Sequence, residues 1–288
     1  FGDNIVILKL VNGLLYLGGI LLMTAIMKKV TGNIYFAFSV SALMLLNSGL
    51  MRYATILMSE IPYLFFSILA VYYLFRMKDD EKIFKSANFY IVLITSVIAF
   101  YFRSVGAVLA GAIIMYWLFD KKWKRALTYG VGFAALYLPW MIRNSVHGLK
   151  SRYFDTMTVV NNWRPEEGHI NTIGGFLDKM GTNLYDTVIK GFTDVLFPFT
   201  RVDNMSKTLV MVLGLIIVAV TFYGAWKSDR KKFFFLFYLL GNIFVFLVWH
   251  SGNGSRYVWP LAPFIAFCFF LGITNIISLV LKMVIYIN

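Results

Sequence analysis

Few residues of this 288-residue chain could do chemistry, and they stand apart from the bulk of its charge. Glu60, Arg103, Arg143, His147, His250 and Arg256 each flank the end of a long apolar run, whereas most lysines and arginines gather in short loops. A guanidinium suits a phosphate, because its planar fork gives two directed hydrogen bonds and never loses its charge. Arg103 and Arg256 (in Gly254-Ser255-Arg256-Tyr257) are each the lone charge of a short loop. They read as fixed cations for a lipid-linked phosphate, or as side chains snorkelling to bulk lipid headgroups. Arg143, beside Trp140, reads as an interfacial anchor or as a further partner of the same site. Glu60 sits in Met58-Ser59-Glu60-Ile61-Pro62. There Ser59 can cap a helix, the carboxylate faces the positive helix end, and Pro62 falls in a first turn that tolerates it. That is either a plain helix start or the wall of a binding site, since a carboxylate near lipid is costly unless used.

Other chemistries find little support. His147, His169 and His250 could hold a divalent ion with Glu166 or Glu167, but no pair has ligand-like spacing. No cofactor is called for by any motif, and a divalent cation is left open. The chain has no glycine-rich phosphate loop, Ser-His-Asp signature or HExxH pattern. The single cysteine, Cys268, excludes an intramolecular disulfide and lies in an apolar run as a small filler.

The elements that must position these residues are helices in a bilayer. With 59% hydrophobic and 14% charged residues, the chain has more apolar surface than a soluble core can hide. Continuous, non-alternating runs predict membrane-spanning helices at 5–27, 34–50, 57–75, 87–102, 104–119, 126–142, 208–226, 233–249 and 260–281. The expected fold is therefore all-α: a polytopic transmembrane bundle of about nine helices. The net charge of +13 arises largely from basic residues on alternate loops, which sets them on the cytoplasmic side and excludes nucleic acid as the partner they serve. Because the loops on both sides of 87–119 are basic, that stretch must be a hairpin turning at Arg103. Its arms of about 16 residues each, roughly 24 Å long, put the turn below the outer surface. Residues 1–142 and 208–288 then form the membrane part, and 143–207 an extracytoplasmic loop domain. Within it Ile173, Phe176, Leu177, Met180, Leu184, Val188 and Phe192 predict an amphipathic interfacial helix, with Asp186 and Lys190 paired across one turn.

Four stretches carry a family resemblance: MSEIPYLFFSILAVYYLFR (58–76), YFRSVGAVLAGAIIMYWLF (101–119), LYLPWMIRNSVHG (136–148) and GSRYVWPLAPFIAF (254–267). The chain resembles the integral-membrane glycosyltransferases of the C-type superfold, in the family 39 branch that includes lipid A aminoarabinose transferases and protein O-mannosyltransferases. The resemblance implies inverting transfer of a sugar from a polyprenyl- or dolichyl-phosphate donor to a glycan, lipid or protein acceptor. The setting it implies is the cytoplasmic (inner) membrane, with the active site facing outside. It makes Arg103 and Arg256 phosphate partners, with Glu60, Tyr257 and Arg143 around them. The family's acid/base aspartate follows the first helix; the chain reads as truncated at its start, so the base is expected upstream of Phe1. Two other readings stay open: a lipid-linked oligosaccharide flippase or other transporter, and a polysaccharide polymerase or ligase. A transport path would have to use the few polar residues within the spans, chiefly Asn12, Thr24, Thr95 and Asn242.

Overall fold

The computed structural model describes residues 4–148, 157–160, 164–200, 202–249 and 254–287. The fold is all-α, with no strand among the described residues beyond an isolated bridge between Val159 and His169. In chain order the helices are α1 (Ile5–Thr31), α2 (Ile34–Leu45), α3 (Ser48–Thr55), α4 (Glu60–Arg76), α5 (Ala87–Phe102), α6 (Gly106–Phe119) and α7 (Trp123–Val146). There follow α8 (Ile173–Asn183), α9 (Lys190–Leu196), α10 (Lys207–Trp226), α11 (Lys232–Val248) and α12 (Ala262–Ile287). Four helical stretches, Ile5–Thr31, Lys207–Trp226, Asp229–Val248 and Ser255–Ile285, are long and apolar enough to cross a membrane, and a fifth is the bent pair α2 and α3 taken together. Helices α5 and α6 are apolar but shorter. Exposed Leu14, Leu21, Phe38, Leu127, Val131 and Ile216 give the bundle the apolar exterior that lipid requires.

Helix α4 lies between α1 and α5, α6 between α7 and α11, and α10 against α12. The last pair is close because it is built on glycine. A Cβ on Gly224 would come within 1.7 Å of the Cys268 carbonyl oxygen, and one on Gly272 within 2.4 Å of the Val220 carbonyl oxygen. The centre is aromatic, with Phe75, Phe234, Phe235, Tyr238, Phe264 and Phe267 in mutual contact and the Tyr63 and Tyr238 hydroxyls 3.0 Å apart.

Three expectations are corrected here. The span at 34–50 is a broken helix: α2 stops at Leu45 and α3 leaves at 58°. The cause is Asn47, whose side chain accepts from the Leu50 amide as an N-cap and donates to the Val195 carbonyl at 2.9 Å. The carbonyls freed at the break are taken up by the Tyr16 hydroxyl, 2.7 Å from Met44 O and 3.1 Å from Leu45 O. Ser59 makes no side-chain cap on α4. The amphipathic helix is in fact α8, a π-wound segment (Leu184–Ile189) and α9. Its first part exposes Ile173 and Leu177, while Val188 and Phe192 are buried. The wider π winding takes residue 190 off the row of residue 186, and Lys190 pairs with Asp203 instead.

Candidate functional site

The hairpin turn falls at Arg103. α5 ends at Phe102, Arg103 is extended (φ −150°, ψ 128°), and α6 begins at Gly106. Only glycine fits that start: a Cβ at 106 would lie 2.5 Å from Phe100 Cα. With the turn this tight, the Arg103 side chain points along the end of α4 rather than away from it, and its Nη1 lies 2.7 Å from Glu60 Oε1.

Arg256 reaches the same oxygen from the other side, with Nε 2.8 Å from Glu60 Oε1. It stands on a 3-10 turn, Gly254–Tyr257, that leads through Trp259–Leu261 into α12. Neighbouring helices brace this segment closely. A Cβ on Gly49 of α3 would strike the Trp259 indole at 2.1 Å, and one on Gly191 of α9 would meet Val258 Cγ2 at 2.7 Å. α3 is in turn fixed at both ends, by Asn47 at its start and by Asn12, whose Nδ2 donates to the Tyr53, Ala54 and Ile56 carbonyls at 3.0–3.1 Å.

One carboxylate thus holds two guanidinium groups. Glu60 is 1% exposed, the Arg103 side chain 13% and the Arg256 side chain 40%, so the cluster opens outward on its Arg256 side. Its formal balance of two cations and one anion leaves a net positive charge. Glu60 Oε2, also buried, has no hydrogen-bond partner among the described residues. Tyr257 lies beside Arg103, whose guanidinium carbon is 5.5 Å from the ring centroid.

Beyond Arg103 a cavity of about 790 Å³ opens between α5, α6, α7 and α11. Its walls are mostly carbon, including Phe100, Phe102, Val108, Phe133 and Phe244, and its polar end is formed by Arg103, Ser104 and Tyr257. The cavity thus offers apolar walls with one largely buried guanidinium at its polar end.

Of the residues picked out from sequence, Glu60, Arg103, Arg256 and Tyr257 come together. Arg143 does not join them. It is exposed near the end of α7, and its guanidinium stacks on Trp140 at 5.1 Å, the interfacial-anchor alternative. His147 is exposed at the end of α7, His169 is hydrogen-bonded to Thr158 at 3.0 Å, and His250 lies outside the described residues. Among the described residues no three His, Cys, Asp or Glu side chains gather into a metal-binding group.

No protein-family model, characterised protein or solved structure matches the chain. Its functional reading rests on geometry.

Two neighbours of the site had no signal in the sequence. Tyr53, brought in by the broken helix, lies within electrostatic reach of Glu60, Arg256 and Arg103. Asp194 on α9 lies within electrostatic reach of the Ser255 side chain, next to Arg256. Burial pushes the Asp194 carboxyl up, against the opposing pull of Ser255 and Lys190. Both depend on contacts distant along the chain, which no local pattern records.

Proposed function

We propose that the chain is the core of a polytopic membrane glycosyltransferase that takes its sugar from a polyprenyl-phosphate donor. In this reading nine helical stretches cross the inner membrane. α4, α5 and α6 are short spans, α2 with α3 is a broken one, and the Arg103–Glu60–Arg256 cluster faces the extracytoplasmic side. The observation that carries it is that Arg103, held by the carboxylate it shares with Arg256, lines the polar end of an apolar cavity. The polyprenyl chain occupies the cavity and its phosphate meets Arg103 and Arg256.

In such a transfer an acceptor hydroxyl oxygen bonds to the anomeric carbon as the bond from that carbon to the phosphate oxygen breaks, and the hydroxyl proton is lost to water. The departing phosphate gains negative charge, and two directed guanidinium groups stabilise that charge as it develops. Glu60 serves as the positioning residue. Its Oε1 is occupied by both guanidinium groups, so it is not cast as the base that activates the acceptor.

Transport is the weaker reading, because the polar residues a path would use are already committed. Asn12 donates to the carbonyls at the end of α3, Thr24 and Thr95 donate to Ile20 and Ile91 O in their own helices, and Asn242 donates to Tyr238 O.

The test is binding of a short-chain polyprenyl-phosphate sugar to the purified protein. Arg103→Ala and Arg256→Ala should each weaken it about tenfold or more, as loss of a charge-assisted hydrogen bond of about 1.5–3 kcal/mol requires. Unchanged affinity in both variants would remove the phosphate from this site.

A further inference from the structure

A second cleft lies at the opposite ends of the helices, where the loop after α4 meets the turn between α6 and α7. Its volume is about 770 Å³. One wall is the segment from Asp79 to Lys85 and the other runs from Lys121 to Arg125. Arg125, buried at the base, fastens them: its Nη2 donates to the carbonyls of Lys78, Asp79 and Glu81, each at 2.9 Å.

Of the acidic side chains that line the cleft, Asp79 and Glu81 are already engaged, and Asp80, in the same segment, does not line it. Asp79 and Asp120 both pair with Lys122, and Glu81 accepts from the Lys78 amide at 3.3 Å and from Asn88. That leaves Lys82, Lys85, Lys121 and Lys124, all exposed and with no carboxylate partner among the described residues. Between them stand two large aromatic side chains in the open, Phe84 at 74% and Trp123 at 65% exposure. From Trp123 an exposed apolar stripe continues along α7 through Leu127 and Val131, at spacings of four residues, toward the middle of the bundle.

We propose that this cleft binds the headgroup of an anionic phospholipid. The phosphodiester sits among Lys82, Lys85, Lys121 and Lys124, and an acyl chain follows Trp123, Leu127 and Val131. A free anion would be served by the lysines alone; the two exposed rings and the stripe leading away from them match an acyl chain attached to the anion. The inference rests on the membrane-spanning part of the reading above and is independent of sugar transfer.

The experiment is titration of the purified protein in neutral detergent with phosphatidylglycerol, phosphatidylcholine and glycerol 3-phosphate, read by unfolding temperature. Phosphatidylglycerol alone is expected to raise it. The combined Lys82→Ala, Lys85→Ala, Lys121→Ala and Lys124→Ala variant is expected to lose that shift while keeping its unfolding temperature in lipid-free detergent. Each lysine near a charged surface is worth about five-fold in affinity, so Lys121→Ala with Lys124→Ala alone should weaken binding about twentyfold or more. An equal shift with phosphatidylcholine, an equal shift in the variant, or a shift produced by glycerol 3-phosphate would each overturn the proposal. If the variant fails to fold, phosphatidylglycerol brominated in its acyl chains gives the answer. It should quench the wild-type protein more than Trp123→Phe, and equal quenching would count against the site.

Discussion

The two ends of the bundle handle positive charge in opposite ways. At the Glu60 site a single buried carboxylate oxygen organises two arginines within 2.8 Å. At the Lys121 end cations are many and mostly exposed, and order comes from the backbone, through one buried arginine that collects three carbonyls. A buried cluster fixes direction and depth, which suits one defined phosphate. An exposed field of lysines on a fixed frame suits a headgroup that arrives in many orientations.

If that contrast is right, removing a charge should be severe at one end and mild at the other. Glu60→Gln leaves two guanidinium groups without their anion and is expected to cost about 3–5 kcal/mol in unfolding free energy. Lys122→Gln, which breaks pairs with Asp79 and Asp120 near solvent, should cost no more than about 1 kcal/mol. Equal costs by denaturant titration would abolish the distinction.

Arg125→Ala is the next largest effect. It strips a donor from three carbonyls and should cost about 1–3 kcal/mol, with faster proteolysis between residues 77 and 86 while the Glu60 cluster is left intact. Undiminished protection of that loop would show that it is held by something else.

The smallest effects are in pH, and they carry opposite signs. Asp79 is held below the usual carboxylate range, first by its hydrogen bond to Lys122 and then by that lysine's charge. Its contribution is present above the unfolded value near pH 4 and is lost as pH falls through the lowered one. Asp194 is raised by burial, so its contribution is full below about pH 4 and is lost as pH rises through the folded value. Acidification toward pH 4 should therefore stabilise the wild type relative to Asp194→Asn. Further acidification should narrow the advantage of the wild type over Asp79→Asn. Matching trends in the two comparisons would contradict the assignment.

What could be read from the sequence follows from how local each signal is. The helical stretches were visible because hydropathy runs are local, and the turn at Arg103 because loop charge on either side demanded a reversal there. Glu60, Arg103 and Arg256 stood out because a lone charge between apolar runs needs a reason, and Tyr257 through the stretch that carries the family resemblance. The break at Asn47 did not stand out, since its causes are a carbonyl on α9 and a tyrosine on α1. Asn12 looked like a polar residue inside a span and is instead the fastening for the end of α3. Arg143 was grouped with the site because it lies at a helix end, and helix ends separated around a bundle do not converge on one point. The Lys190 partner was missed because the sequence gives no sign of π winding.

The most direct test of the contrast is which side of the membrane each end faces. In a Cys268→Ala background, single cysteines at Ser104 and at Lys121 can be labelled in sealed vesicles by a thiol reagent that does not cross the bilayer. The expected result is that Ser104→Cys and Lys121→Cys are labelled from opposite sides. Labelling of both from the same side would contradict it, since the Glu60 cluster and the lysine cleft would then share one surface.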